Sequence, residues 1–569
     1  MNKVFRKFLL CTFLAVILTV SARAAEDTLK VGLYYGSNAL YSANLQNYRG
    51  SGYELGWFDE SSREFTPVAN LAEEKISMTT DGNIYISGGS YYSQPPAGYD
   101  AVVGGYHVEL TEGFMTFEEA RAVAAQFQDG FVAYNGSGYR VRVGDFTSRG
   151  EAEIAAATYA TLPWHDMYGA AHSFVGTIAT PSGTGVTITV TTTDRILFEF
   201  DCSGIRSLGI RPVNQMGKAE TWFKGYKWYG GFEYRRSTGG NINVINVVNV
   251  DDYVKGVLPY EMSAGWPLEA LKAQAVCART YALYQTKHYR SYGFDVCNTT
   301  DCQVYYGTNR ASANSDRAAE ETAGVVATYG GDVAELYYYS SNGGASENSE
   351  NVWSTALPYL TGKADPYEGN INIPGYAYSE TYTFQQLTQI LQSKGYSIGT
   401  VVDAYVSRTT PVGNVAEVTF VDNTGRTVKV TKEKCKTVFY STLFGETKSV
   451  KSMRFTITGG SGGKQFFVNS SGKTVPGLKG LFTISGRGTV AGYNGESTYV
   501  ITSSGVSALE EKTPVSNVGS ITITGTGSGH NVGMSQYGAK AMAEMGYSFN
   551  DILQFYFTGI NLERVGFGY

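Results

Sequence analysis

Charge is scarce in this chain. Only 17% of its 569 residues are charged, and there is no basic excess, the formal net charge being -6. A protein that reads nucleic acid needs a basic face to neutralise phosphates, so this balance excludes that class of partner. Long apolar runs are confined to the first residues, and no later stretch is long and apolar enough to cross a bilayer. Histidine is rare, at 5 residues, so one set among glycines near the C-terminus stands out. Cysteine is rare as well. Five follow the N-terminal apolar segment, Cys202, Cys277, Cys297, Cys302 and Cys435. An odd number in an exported chain leaves at least one unpaired or bound to metal.

Glycine and tyrosine are abundant instead, with 68 Gly and 43 Tyr. Together with the low charge they indicate β-rich modules joined by many turns, and the length allows three or four domains. Tyrosine and tryptophan suit sugar rings, because each offers an apolar face and a hydrogen-bonding edge. Exposed β-sheet uses tyrosine too, so composition permits a glycan ligand without requiring one.

Residues 1–24 read as a signal peptide. Lys3, Arg6 and Lys7 form a positive start, Phe8 to Val20 is a short apolar core, and Ala22-Arg23-Ala24 offers small residues for cleavage. Removal of these residues takes with it Lys3, Arg6, Lys7 and Arg23 and brings the net charge to -10. The expected location is secreted, extracytoplasmic and associated with the cell envelope, with an uncleaved anchor as the alternative.

Alternating apolar residues from Thr28 and again over Tyr53 to Phe58 predict strands with one wet face, in the first half (25–103) of a β domain. Residues 104–178 change character. Tyr106–Leu110 reads as a strand, and Thr116-Phe-Glu-Glu119 has the spacing of a capping box that starts a helix to Phe127. Strands follow over Phe131–Tyr134 and Tyr139–Val143, then a second capping box at Ser148 to Glu151, a helix to Tyr159, and a last strand over Phe174–Ile178. This β-α-β-β-α-β order predicts a compact ferredoxin-like module inserted into the β domain, whose second half spans 179–248. Phe384–Lys394 reads as a helix, Ala416–Thr431 as a hairpin, and about 459–512 as a Gly/Ser-rich β insertion.

Chemistry is concentrated between Val250 and Leu283. A strand over Val244–Val250 precedes turns at Pro259 and Gly265, and Pro267 opens a helix because its missing N–H is one that a first turn leaves unpaired. Leu268, Leu271, Ala275, Ala278 and Ala282 share one face, while Ala270, Ala273 and Cys277 keep the other sides slim, so this helix is expected to be buried nearly all round. Glu261 falls in the loop before it. Among Leu258, Pro259, Tyr260, Met262 and Trp266 a carboxylic acid loses water, which favours its neutral form, whereas a nearby helix N-terminus favours the charged one. The residues alone leave open a capping or ion-pairing role and a general acid.

Asp251, Asp252, Tyr253, Gly256, Val257, Pro259, Glu261, Met262, Trp266, Pro267, the run Glu269-Ala-Leu-Lys-Ala-Gln-Ala275, Arg279 and Tyr281 resemble the signature of the stage II sporulation protein D (SpoIID/LytB) family. Two further stretches resemble family motifs. One is Ser340-Ser341-Asn342-Gly343-Gly344-Ala-Ser-Glu347; the other is Gly525-Thr-Gly-Ser-Gly-His530-Asn531-Val-Gly-Met-Ser535-Gln536-Tyr-Gly-Ala539, with Asn531 where glycine is usual. Asparagine tolerates the left-handed backbone that such a position demands. The resemblance implies an α+β, multidomain, β-rich catalytic fold over 249–569, and a lytic transglycosylase that cleaves the MurNAc–GlcNAc bond of peptidoglycan with Glu261 as its acid. Ser340, Ser341, Gly343, Gly344, His530, Ser535 and Gln536 are then candidates to line the cleft, and Glu347 and Glu350 are rival acids. Tyr139 to Ala152 resembles the hallmark of the SPOR domain, which implies binding of peptide-stripped glycan strands. No cofactor is required for this chemistry. Some relatives bind zinc through a His and two Cys, which makes His288, Cys297 and Cys302 a possible structural zinc set, ranked behind a disulfide or free thiols at the two cysteines. The partners implied are peptidoglycan strands and a cell-wall amidase, and relatives that enhance an amidase leave a non-catalytic role open.

Overall fold

The computed structural model describes residues 28–182, 185–236, 240–284, 289–459 and 519–565, together with the backbone of six short strands between 466 and 509. The signal-peptide reading and His288 lie outside these residues, as do the side chains of the Gly/Ser-rich insertion. The chain is mixed α/β and rich in strand, and it forms two units, residues 1–335 with 561–569 and residues 336–560. The boundary thus falls at 335/336, and the signature stretch after 249 folds with the N-terminal β domain.

The first unit holds two large sheets. In the seven-stranded one the order is Val296–Cys297, Thr28–Tyr34, Ile242–Asn249, Gly231–Arg236, Leu208–Pro212, Tyr53–Phe58 and Phe65–Leu71. Thr28–Tyr34, expected to wet one face, is buried on both. Lys30 explains how its alternation is reconciled with burial: the ammonium is fully enclosed and paired with Glu233 at 2.6 Å.

In the ten-stranded sheet, Gly176–Ala179, Tyr106–Leu110, Tyr139–Phe146 and Gly130–Tyr134 lie side by side at one end. The helices Phe117–Ala124 and Arg149–Tyr159 belong to the same segment, each starting with a complete capping box at Thr116 and Ser148. The β-α-β-β-α-β order is present, but these strands are not a sheet of their own. Gly130–Tyr134 continues in parallel onto Ile196–Phe200, and so into the β domain. One apolar core runs from Leu29 and Val31 through Phe198 and Trp228 to Tyr253 and Val257, so the sheets and the helix that carries Glu261 solidify together.

The second unit has its own core, in which Tyr382, Phe384, Leu387, Phe420, Phe439 and Ile523 meet. The hairpin Val415–Asp422 with Thr427–Thr431 and the helix Phe384–Ser393 match their sequence patterns. Phe455–Gly459 pairs directly with Ser520–Thr526, so the intervening residues leave and re-enter the fold at adjacent strands. Their described backbone forms three two-stranded antiparallel pairs.

Candidate functional site

The helix Val250–Glu261 starts where the strand Ile242–Asn249 ends, and Glu261 is its last residue rather than part of a loop. Asn249 caps it by accepting the N–H of Asp251 at 2.9 Å, and Asp251 and Asp252 stand in the first turn, where the helix dipole favours anions. Pro259 lies within the last turn, the reason the sequence pattern reads as a break. The helix stops soon after, and the N–H of Met262 closes it on the carbonyl of Leu258. The link to the next helix, Leu268–Tyr284, is held from outside: the Asn314 amide donates to the carbonyls of Ala264 and Trp266 at 2.8 and 3.2 Å.

Leu268–Tyr284 is buried without a break from Ala273 to Ala282, as its alanines require. Arg279 is fully enclosed within it. Its guanidinium reaches Asp251 at 2.6 and 2.8 Å and donates to the carbonyl of Val325 at 3.1 Å. One buried cation therefore ties the start of the Glu261 helix, the alanine helix and the strand Val325–Tyr329 into a single body. Desolvation pulls the Arg279 pKa below its ordinary value, against the opposing pull of Asp251.

The half-buried Glu261 accepts the N–H of Val304 on Oε1 at 3.2 Å. The segment carrying Val304 is itself fixed by buried bonds: Tyr253 donates its hydroxyl to Gln303 at 2.9 Å, and Tyr305 donates to Asn246 at 2.8 Å. Gly256 makes this possible, because a Cβ there would sit 2.3 Å from the Tyr305 ring. Beside Glu261, Tyr260 donates its hydroxyl to the carbonyl of Tyr306 at 3.1 Å, and the two rings meet edge to face.

In the second unit the remaining candidates gather around an acid that the motifs did not single out. Glu368, fully buried, accepts the hydroxyls of Ser341 and Ser535, the latter at 2.9 Å, and the N–H groups of Asn342 at 2.9 Å and Gly343 at 3.3 Å. Burial raises its pKa above the ordinary range while these bonds pull the other way. The glycine pair is in the left-handed region, with φ of 70° at Gly343 and 120° at Gly344. Ser341 and Ser535 thus turn inward, and Ser340 alone of these serines keeps a half-exposed hydroxyl without a protein partner among the described residues. Gln536 opens the helix Gln536–Glu544 and is mostly buried.

His530 is packed against the rings of Tyr337, Tyr339 and Trp353. Nε2 faces the carbonyl of Tyr338 at 3.1 Å, and Nδ1 accepts the N–H of Val532 at 3.2 Å, an arrangement that fits the neutral ring protonated on Nε2. Burial, aided by the charge of Lys436, lowers its pKa to about 3. Both nitrogens are spent on backbone, so the geometry gives His530 a structural part rather than the substrate-orienting one expected. Asn531 has φ of 67°, as its place in a glycine position requires, and its amide donates to the carbonyls of Asn342 and Ala345. Glu347 is also spent, accepting from Thr410, Asn414, Asn348 and Asn351, which leaves it poorly suited to be a rival acid. Glu350 accepts from the Asn348 amide.

The model of the stage II sporulation protein family SpoIID matches residues 238–329, the span that holds Glu261, its helix, the alanine helix and the Val304 segment. The chain is 35% identical over 316 residues to the amidase enhancer of Bacillus subtilis, covering 54% of this chain and 40% of that protein. It is 25% identical over 334 residues to stage II sporulation protein D of the same organism, covering 56% and 75%, and 31% identical over 320 residues to an uncharacterized protein of Brachyspira hyodysenteriae, covering 56% and 68%. The chain belongs to the SpoIID family.

The SpoIID-matching span also contains the cysteine pair. Sγ of Cys297, Sγ of Cys302 and a carboxylate oxygen of Asp301 all lie within 4.8 Å of one another, and the Cys297 N–H donates to Cys302 Sγ at 3.2 Å. Cysteine sulfur and carboxylate oxygen are donors that zinc accepts, so these three residues could supply three ligands of a four-coordinate site. Asp301 was not anticipated, although its place between the two cysteines is visible in the sequence. Cys277, Cys202 and Cys435 are buried and form no disulfide among the described residues, with Cys277 in the alanine helix as a small filler.

Proposed function

We propose that this SpoIID-family protein is a lytic transglycosylase acting outside the cytoplasm on peptide-stripped peptidoglycan strands. The observation that carries the reading is Glu261 itself: a half-buried carboxyl at the end of a helix, one oxygen held by the Val304 N–H, inside the span that matches the family model. As an acid Glu261 would protonate the glycosidic oxygen between MurNAc and GlcNAc. As the resulting carboxylate it would take the proton of the muramyl 6-hydroxyl while that oxygen closes on C1, giving a 1,6-anhydro end. The substrate supplies the nucleophile, so one carboxyl suffices where ordinary glycoside hydrolysis uses two. The hydrogen bonds that saturate Glu347 are in keeping with a single acid.

The β-α-β-β-α-β segment at residues 104–178 fits a SPOR-like glycan-binding module in this scheme, and Ser340 a polar contact to sugar. The Cys297, Asp301 and Cys302 donors would hold a structural zinc that staples their loop, with a disulfide between the cysteines as the alternative. Release of soluble glycan from dye-labelled, amidase-treated sacculi tests the main reading: it is expected from the wild type and lost in Glu261→Gln. A second reading rests on the name of one relative, the amidase enhancer. It predicts that Glu261→Gln stimulates an added cell-wall amidase as well as the wild type does and that neither releases glycan alone.

A further inference from the structure

Four tyrosines gather beside Glu261. Tyr306, two residues after the Val304 N–H that holds Glu261, stacks on Tyr226 with ring centroids 5.3 Å apart and planes 20° from parallel. Tyr260 meets Tyr306 edge to face at 5.6 Å. Tyr34 belongs to the same patch: after burial, the phenols of Tyr226 and Tyr306 are what raise its pKa, and the same two contribute at Tyr260. All four rings are half-buried, and among the described residues the hydroxyls of Tyr34, Tyr226 and Tyr306 have no hydrogen-bond partner in the protein. A fold does not need three unspent phenols in one place; a ligand rich in hydroxyls does.

Two cations stand over the outer rings. Arg310 lies 4.7 Å from the Tyr260 centroid and Lys224 5.9 Å from that of Tyr34. Neither forms an ion pair among the described residues, whereas Arg49 and Lys218 are paired with Glu220 and Asp252. The patch is rigidly joined to the acid. Asn309 accepts the N–H of Lys227 at 2.6 Å and donates to the carbonyl of Gly225 at 3.0 Å, and the Thr308 N–H donates to the carbonyl of Lys227 at 2.8 Å, so the hairpin Glu220–Trp228 and the Val304–Arg310 segment move as one.

We propose that Tyr34, Tyr226, Tyr260 and Tyr306, with Arg310 and Lys224, form a subsite that grips the glycan strand beside Glu261 and selects strands whose muramyl lactyl groups bear free carboxylates. The proposal rests on the glycan-cleaving reading of Glu261. Hydrolysis of the amide between muramic acid and its stem peptide leaves one carboxylate on every second sugar. The product is a chain of apolar pyranose faces and regularly placed anions, which matches rings capped by cations. In a protein of net charge -6 an anionic polymer is repelled at long range, so two local cations without acidic partners decide where it settles. Tyr34, Lys224 and Tyr226 lie outside the family-matching span, so this selectivity is built by the chain's own N-terminal β domain.

The test uses the full chain carrying Glu261→Gln, so that strands are bound and not cut, with amidase-stripped glycan strands and the same strands methylamidated at their lactyl carboxylates as probes. Adding Lys224→Gln and Arg310→Gln is expected to weaken binding of the stripped strands about tenfold and to leave the methylamidated strands unaffected. Tyr306→Phe, which keeps the ring and its packing, is expected to weaken binding of both. Equal affinity for the two probes, or stripped strands bound undiminished by the charge variant, overturns the subsite while the reading of Glu261 stands. Failure of the parent to bind either strand, together with wild-type protein that releases no glycan, overturns both.

Discussion

Arg279 offers the sharpest test of how the site is held. Its side chain is fully enclosed, and it makes two contacts with Asp251 at 2.6 and 2.8 Å and one good bond to the carbonyl of Val325. Arg279→Met keeps most of the apolar volume and deletes all three. Hydrogen bonds to charged groups are worth about 1.5–3 kcal/mol each, the Met side chain restores part of the sum by packing, and breaking one half of a buried pair typically costs about 3–5 kcal/mol. For a unit of this size that corresponds to a fall in melting temperature of roughly 4–7 °C. Asp251→Asn relieves the stranded charge, so the double variant should be more stable than the sum of the single effects by at least about 1.5 kcal/mol. Calorimetry of the four proteins of this cycle gives both numbers. An Arg279→Met protein within about 1 kcal/mol of wild type, or strict additivity with Asp251→Asn, would refute the claim that this ion pair fastens the two helices.

Gly256→Ala places a Cβ 2.3 Å from the Tyr305 ring, so it should cost about 1–3 kcal/mol by overpacking and, by shifting the Val304 N–H, reduce glycan cleavage further than stability alone explains; unchanged turnover of the folded variant would count against the placement of Glu261 by that segment. His530 has its folded pKa lowered from 6.5 to about 3 by burial. The unfolded ring therefore binds a proton first, and the stability this group contributes is complete above about pH 6.5 and lost as pH falls towards 3. Its ring resonances should not titrate between pH 5 and 8 in an NMR series, and a midpoint near 6.5 would contradict the described burial. The Cys297, Asp301 and Cys302 donors predict about one zinc per chain by elemental analysis, released in Cys297→Ser with a lower melting temperature; metal-free protein with a mass two hydrogens lighter would assign the pair to a disulfide.

Local chemistry carried far into the structure. Thr116 and Ser148 form the capping boxes their spacing predicts, and the alanine helix is enclosed as its small residues require. Asn531 adopts the left-handed backbone its glycine-like position asks for. What sequence could not supply was the surroundings. Pro259 reads as a helix breaker, yet it stands so near the C-terminal end that the bond it forfeits to the carbonyl of Lys255 is lost only in the last turn, so Glu261 ends a helix instead of floating in a loop. Lys30 sits in an alternating strand and looks exposed until Glu233, some two hundred residues away, turns out to face it. Glu368 has no motif around it, and only the fold shows that Ser341 and Ser535 converge on its carboxylate. The four tyrosines beside Glu261 come from separate parts of the chain, and among 43 tyrosines no spacing marks them.

Glu261 is proposed to break the glycan without water. Mass spectrometry of the fragments formed from amidase-treated peptidoglycan, by wild type and by Glu261→Gln side by side, tests it most directly. Wild type is expected to produce 1,6-anhydro-muramyl ends, and the variant at least about a hundredfold fewer, the scale of general acid–base catalysis. Reducing ends in place of anhydro ends, or anhydro ends undiminished in Glu261→Gln, would contradict it.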